Sequence, residues 1–180
     1  MADKDNAPMV ASLQPSETGD QPPTGFGSPL QELRYLILAV QREGNRWLSE
    51  MLRAADLTPA QAEVISILAD REPLTLSGLG KLLICETGSP SRLVNSLVQK
   101  GFVAQDNHQT DRRAKLFYLT PNGKATLALI HKTEEEIDGF LSALLSDQEI
   151  KYTRSSLYKL LGGTAIEQAM LRRFGYIQND

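Results

Sequence analysis

Two small groups of side chains in this sequence could do the chemistry of nucleic-acid reading. The first is Ser89, Ser91, Arg92 and Asn95, within the segment ETGSPSRLVNSLVQKG that begins at Glu86. An arginine fork matches two acceptors on guanine and an asparagine carboxamide matches adenine, each pairing discriminating by about 1–3 kcal/mol. The serine hydroxyls suit phosphates better than bases, and such contacts position a protein without naming a sequence. The second group is Asp111, Arg112, Arg113 and Lys115, in the segment FVAQDNHQTDRRAKLFYLT that follows. Arg112 and Lys115 carry the charge of phosphate contacts, and they equally fit the description of solvated surface charges. For the first group the bland alternative is an ordinary solvated helix face.

Both groups need elements to hold them. Leu93, Val94, Leu97 and Val98 recur at three- and four-residue steps, which predicts a short helix with one apolar stripe. Its other face offers Ser89, Ser91, Arg92, Asn95, Ser96 and Gln99. Gly101 stands where a left-handed residue commonly closes a helix. Two apolar-rich strands follow, Phe102–Gln105 and Lys115–Leu119, flanking a polar loop that ends in Asp111-Arg112-Arg113. A polar-faced helix followed by a hairpin with arginines at its base is the outline of a winged helix. Joined closely to a preceding helix, such a helix forms a helix-turn-helix, whose second member enters the major groove.

The totals agree with a globular chain: 180 residues, 41% hydrophobic and 23% charged. No apolar run approaches the roughly 20 residues that span a bilayer, and no signal peptide is visible. A single cysteine cannot form an internal disulfide, which points to a cytoplasmic setting. The net charge of −3 argues at first against a nucleic-acid partner. Its distribution argues the other way: from Arg71 to Lys124 there are eight basic and four acidic residues, a surplus of four, so the remainder carries seven negative charges. Charges beyond about 8 Å are screened at physiological salt, so a modest basic patch survives.

Read in order, residues 1–27 hold four of the nine prolines and little apolar periodicity, predicting a disordered tail. Ser28-Pro29-Leu30-Gln31 reads as a capping box opening a helix to about Ala55, with a surplus of apolar surface suited to dimerisation. Thr58-Pro59-Ala60-Gln61 repeats that logic for a helix to about Asp70, with Val64, Ile65 and Leu68 inward. Thr75 caps a short third helix that buries Leu79, Leu82 and Leu83. After the hairpin, Thr120-Pro121-Asn122-Gly123 caps a long helix to about Leu145. Ser146-Asp147-Gln148-Glu149 opens another to about Leu161, and Thr164–Phe174 predicts one more. The expected class is mainly α with a small β-hairpin wing: a winged helix-turn-helix lobe and a helical dimerisation region.

From about Leu30 to Leu161 the chain resembles the MarR family of bacterial regulators, named for multiple antibiotic resistance. The resemblance is carried by Leu57-Thr58-Pro59-Ala60-Gln61, by Leu93-Val94-x-x-Leu97-x-x-Lys100-Gly101, and by Asp111-x-Arg113 followed by Leu119-Thr120-x-x-Gly123. Each piece is weak alone, and their order and spacing together are specific. It implies a homodimer held by first and last helices, with residues 28–176 as one family-like domain. Within it, 57–121 would form the DNA-binding lobe, and 28–56 and 122–176 the dimerisation helices. Two lobes would read a pseudo-palindromic operator with half-sites about 34–36 Å apart, and most members resemble repressors released by a small aromatic acid or phenol. Arg113 matches the family arginine that enters the minor groove, where narrow A·T-rich tracts attract it. Asp111 would orient the wing by pairing with a nearby arginine. One departure is Gln105, where many members have arginine; one phosphate contact is lost, which lowers the salt slope by about 0.9.

Other residues offer less. Cys85 follows Leu82, Leu83 and Ile84, an apolar setting that raises a thiol pKa and favours an inert structural cysteine. Peroxide-sensing relatives carry their reactive cysteine in the first helix, where this chain has none. His108 and His131 have no ligand-spaced companions, so neither a metal nor another cofactor is expected. Trp47, Arg42 and Arg46 fit a ligand cleft or dimer-core packing, and no effector residue is assigned. The absence of a G-x-S-x-G, P-loop or dinucleotide fingerprint argues against an enzyme. The expected partners are double-stranded DNA, a second copy and a small effector, with no membrane. The competing reading is a winged-helix module that binds other proteins and not DNA.

Overall fold

The computed structural model describes residues 27–84, 89–107 and 114–175. The chain divides into two units, 1–40 and 41–180. Helix α1 spans Pro29–Met51; its part up to Val40 is what is described of the first unit. There the Ser28 hydroxyl accepts from the Gln31 amide at 3.3 Å. The return bond of a full capping box is not formed, so the predicted box is half made. Leu30, Leu33, Leu36 and Val40 are exposed along this part of the helix.

The second unit holds the rest. The end of α1 runs into a 3-10 turn, Leu52–Ala55, where the long first helix was expected to continue. Asp56 follows in the left-handed region (φ 53°) and ends it. Then come α2 (Pro59–Arg71), β1 (Leu74–Thr75), α3 (Leu76–Gly80), α4 (Pro90–Gln99), β2 (Val103–Asn107), β3 (Lys115–Leu119), α5 (Pro121–Leu144), α6 (Asp147–Leu161) and α7 (Ala165–Phe174). Thr58 and Ser146 make complete capping boxes with Gln61 and Glu149, as their spacing predicts. Thr75, Thr120 and Thr164 cap α3, α5 and α7 by accepting from the amide three residues on.

The three strands form an antiparallel sheet in the order β1-β3-β2. Strand β1 is absent from the hairpin outline drawn from sequence, being only two residues long, and it pairs Leu74 with Phe117. Strand β2 reaches Asn107, two residues beyond expectation, because its pairing with β3 continues to Asn107 opposite Lys115. Leu52, Leu57, Val64, Ile65, Leu68, Leu79, Leu97, Val103, Phe117, Leu119 and Ile130 belong to one buried core, which joins α2, α3, α4, the sheet and the start of α5. Burial of that apolar surface, at about 25 cal/mol per Å², favours the ordered lobe.

Gly123 explains how α5 meets the sheet. A Cβ there would lie 2.2 Å from the Phe102 carbonyl oxygen, so only glycine allows the approach. The Thr120 hydroxyl donates to the Gly101 carbonyl at 2.7 Å, stitching the start of α5 to the end of α4.

Candidate nucleic-acid interface

Helix α4 presents the two faces its spacing predicts. Leu93, Val94 and Leu97 are buried, while Arg92, Asn95 and Gln99 are exposed. Ser89 stands exposed before the first turn as N-cap, without a side-chain cap bond. Ser91 is half-buried. The helix ends on Gly101 (φ +76°) with Phe102 N–H donating to the Leu97 carbonyl and Gly101 N–H to that of Val98, both at 3.0 Å. That pair of bonds is a Schellman closure and fixes where the helix stops.

Ser96 does not belong to the outer face. Its hydroxyl donates to the Leu93 carbonyl at 2.7 Å and accepts from Gln61 Nε2 at 2.9 Å. The same Gln61 accepts from the Thr58 amide at 3.0 Å through Oε1. Lys100 reaches that oxygen at 3.4 Å and pairs with Asp56 Oδ2 at 3.0 Å. Gln61, Ser96 and Lys100 therefore lock α4 onto the start of α2. This network was missed in the sequence; the available signal was the position of Ser96 beside Leu97, on the edge of the apolar stripe.

In the wing, Gln105 and Lys115 are exposed on β2 and β3. Tyr118 O–H donates to Asp106 Oδ2 at 3.0 Å, a diagonal cross-strand pair, and holding that proton raises the phenol above its ordinary range. Asp111, Arg112 and Arg113, together with His108 and Cys85, lie outside the described residues. Among the described residues, two of the eight basic residues counted from the sequence are committed to internal ion pairs. Lys100 pairs with Asp56, and Lys124 with Glu72 Oε1 at 2.9 Å. Arg92 and Lys115 have no such partner among the described residues.

Glu72 closes the end of the sheet. Its carboxylate accepts from the Leu119 amide at 2.6 Å, beyond the last pairing of β1. Burial pushes this carboxyl up, but the Leu119 amide and then the Lys124 ammonium outweigh it, leaving Glu72 below the ordinary carboxylate range.

A cavity of about 150 Å³ lies beside α2, lined by Leu48, Leu52, Ala62, Glu63, Ile130 and Arg173 among others. Trp47 does not line it: its ring meets Phe140 of the same chain edge-on, with centroids 5.0 Å apart. Arg46 is held by Glu43 at 2.7 Å and Glu50 at 3.3 Å. Among the described residues no cluster could hold a metal ion, and no helix is long and apolar enough to cross a membrane.

Residues 57–115 match the MarR family model. A putative transcriptional regulatory protein for the hcr operon of Thauera aromatica is 32% identical over 124 residues, covering 68% of this chain and 75% of that protein. The reduced form of MarR from E. coli is 30% identical, with a TM-score of 0.59, covering 72% of this chain and 96% of that one. A mutant E. coli MarR complexed with operator DNA is 28% identical, with a TM-score of 0.66, over 73% of this chain and 95% of that one. The core, the Schellman-closed α4 and the three-stranded wing sheet therefore sit in a known frame, and the chain belongs to the MarR family of winged-helix, DNA-binding transcriptional regulators.

Proposed function

We propose that this regulator is a homodimeric repressor in which each protomer lays α4 into the major groove of one half of a pseudo-palindromic operator. The observation that carries this is α4 itself: one face is sealed into the core while Arg92 and Asn95 face solvent. Arg92 would read guanine and Asn95 adenine, with Ser89 and Ser91 on phosphates. Arg113 would enter the minor groove, Asp111 would orient the wing, and Arg112 and Lys115 would neutralise phosphates. Exposed Leu157 and Leu160 on α6, and separately the exposed leucines of α1, supply apolar surface of the kind a second copy covers.

Release of DNA would follow binding of a small aromatic or phenolic effector. The cavity beside α2, about 150 Å³, is of a size for a single aromatic ring, and it sets Leu48, Leu52 and Ile130 beside Glu63 and Arg173, an apolar wall with polar groups that suits a phenol or aromatic acid. The relatives are transcription regulators, and a solved neighbour holds operator DNA, which favours DNA over a purely protein partner.

A fluorescence-anisotropy titration against the chain's own promoter tests the reading. Binding should be sequence-preferring and should weaken linearly with log salt. Arg113→Ala should lower affinity on A·T-rich flanks while the dimer stays folded. Binding without sequence preference would refute operator recognition, and an Arg113→Ala variant with unchanged affinity and salt slope would refute the wing assignment.

A further inference from the structure

Helix α7 lies beyond the matched segment 57–115, yet it is fastened to the lobe at several points. Arg173 Nη1 donates to Glu63 Oε1 at 2.5 Å, and the pair is largely dry, the side chains being 21% and 5% exposed. Arg71, at the end of α2, donates to the Arg172 carbonyl at 2.7 Å. That bond places a cation on the negative end of the α7 dipole. Arg172 donates in turn to the Lys81 carbonyl after α3, at 3.4 Å. Ala169 is buried on the same helix.

The other end of α7 is equally held. The Thr164 hydroxyl donates to the Leu161 carbonyl of α6 at 2.6 Å, and Glu167 accepts from the Gly163 amide at 2.8 Å. A ten-residue helix is marginal alone in water, so these contacts are what keep α7 formed.

We propose that α7 is a strap fixing the winged lobe relative to α6, with Arg173–Glu63 as its clasp. Glu63 also accepts from the Ile84 amide at 2.9 Å, so replacing Arg173 takes the cation, though not every partner, from a carboxylate that is nearly out of water. A dimer that reads two half-sites one turn apart needs each lobe at a set angle, and the strap would narrow the half-site spacings it accepts. This part rests on the homodimeric reading above.

The test uses the full chain and its Arg173→Met and Arg173→Lys variants. Hydrogen exchange of the 165–174 amides reads the clasp. Binding to duplexes selected by the wild type from a randomised pool, with the spacer changed by one base pair, reads the coupling. Arg173→Met should exchange about tenfold faster or more across α7 and should lose discrimination between spacers, while Arg173→Lys keeps most of both. Unchanged exchange in Arg173→Met overturns the clasp. Faster exchange with unchanged spacer preference overturns the coupling and leaves α7 as packing alone. If Arg173→Met does not fold, Arg173→Gln, which keeps hydrogen-bonding capacity without the charge, carries both readouts, expected to shift partway and overturned by no shift. If the wild type selects no duplex, the DNA-reading dimer falls, and exchange alone decides the strap.

Discussion

Replacing Arg92 by alanine separates recognition from stability. The side chain is exposed on α4 and has no hydrogen bond or ion pair among the described residues. Arginine and alanine are both good helix formers, so folding stability should move by no more than about 0.5 kcal/mol. Binding should respond far more. A bidentate contact to guanine is worth about 1–3 kcal/mol, and a dimer uses it twice at sites distant enough to add. The total, about 2–6 kcal/mol, weakens operator binding roughly thirtyfold to twenty-thousandfold at 1.4 kcal/mol per decade. If Arg92 reads a base, the loss concentrates on duplexes that carry that base and the preference there relaxes. A phosphate contact instead weakens all duplexes alike and lowers the salt slope by about 0.9 per protomer. Anisotropy titrations on matched and single-substituted operators at three salt concentrations distinguish the two. A variant that binds within twofold of wild type at every salt, with an unchanged melting temperature, would refute the placement of α4 in the groove.

Three further perturbations have defined outcomes. Gly123→Ala sets a Cβ against the Phe102 carbonyl and should cost about 1–3 kcal/mol in thermal denaturation; an unchanged or raised melting point would show that α5 can withdraw freely. Gln61→Ala removes the bonds to the Thr58 amide and Ser96 and should cost about 1–3 kcal/mol, with operator affinity falling as α4 loosens; full affinity at reduced stability would show that the network does not position the helix. Glu72→Gln should cost about 1.5–3 kcal/mol at neutral pH, the worth of hydrogen bonds to a charged group. Because the folded carboxyl sits below its ordinary range, that difference is present above about pH 4.3 and is lost as pH falls through the lowered value; a gap that persists undiminished into acid would rule out charge as its source.

The sequence spelled out what is local. Thr58, Ser146 and Gly101 each act within five residues, so their caps and stops could be read from spacing alone. The apolar stripe of α4 was legible for the same reason. What escaped was the long-range use of polar groups. Gln61 meets Ser96 and Glu63 meets Arg173 across 35 and 110 positions, and no periodicity marks such pairs. Strand β1 escaped because two residues carry no alternation. The outer end of β2 escaped because Asp106 and Asn107 are both exposed and polar and look like loop. The surplus of positive charge was counted correctly, but Lys100 and Lys124 spend theirs inside the fold.

The pairing of Glu63 with Arg173 bears on how modular this lobe is. The family model matches residues 57–115, while Arg173, which pairs with Glu63, lies far beyond that match. A lobe grafted onto the helices of a relative without its own α7 would carry a largely buried Glu63 into the host without the arginine that pairs with it here. Chimeras within the family should therefore be cut so that Glu63 and Arg173 travel together, or with Glu63 exchanged for glutamine in the graft.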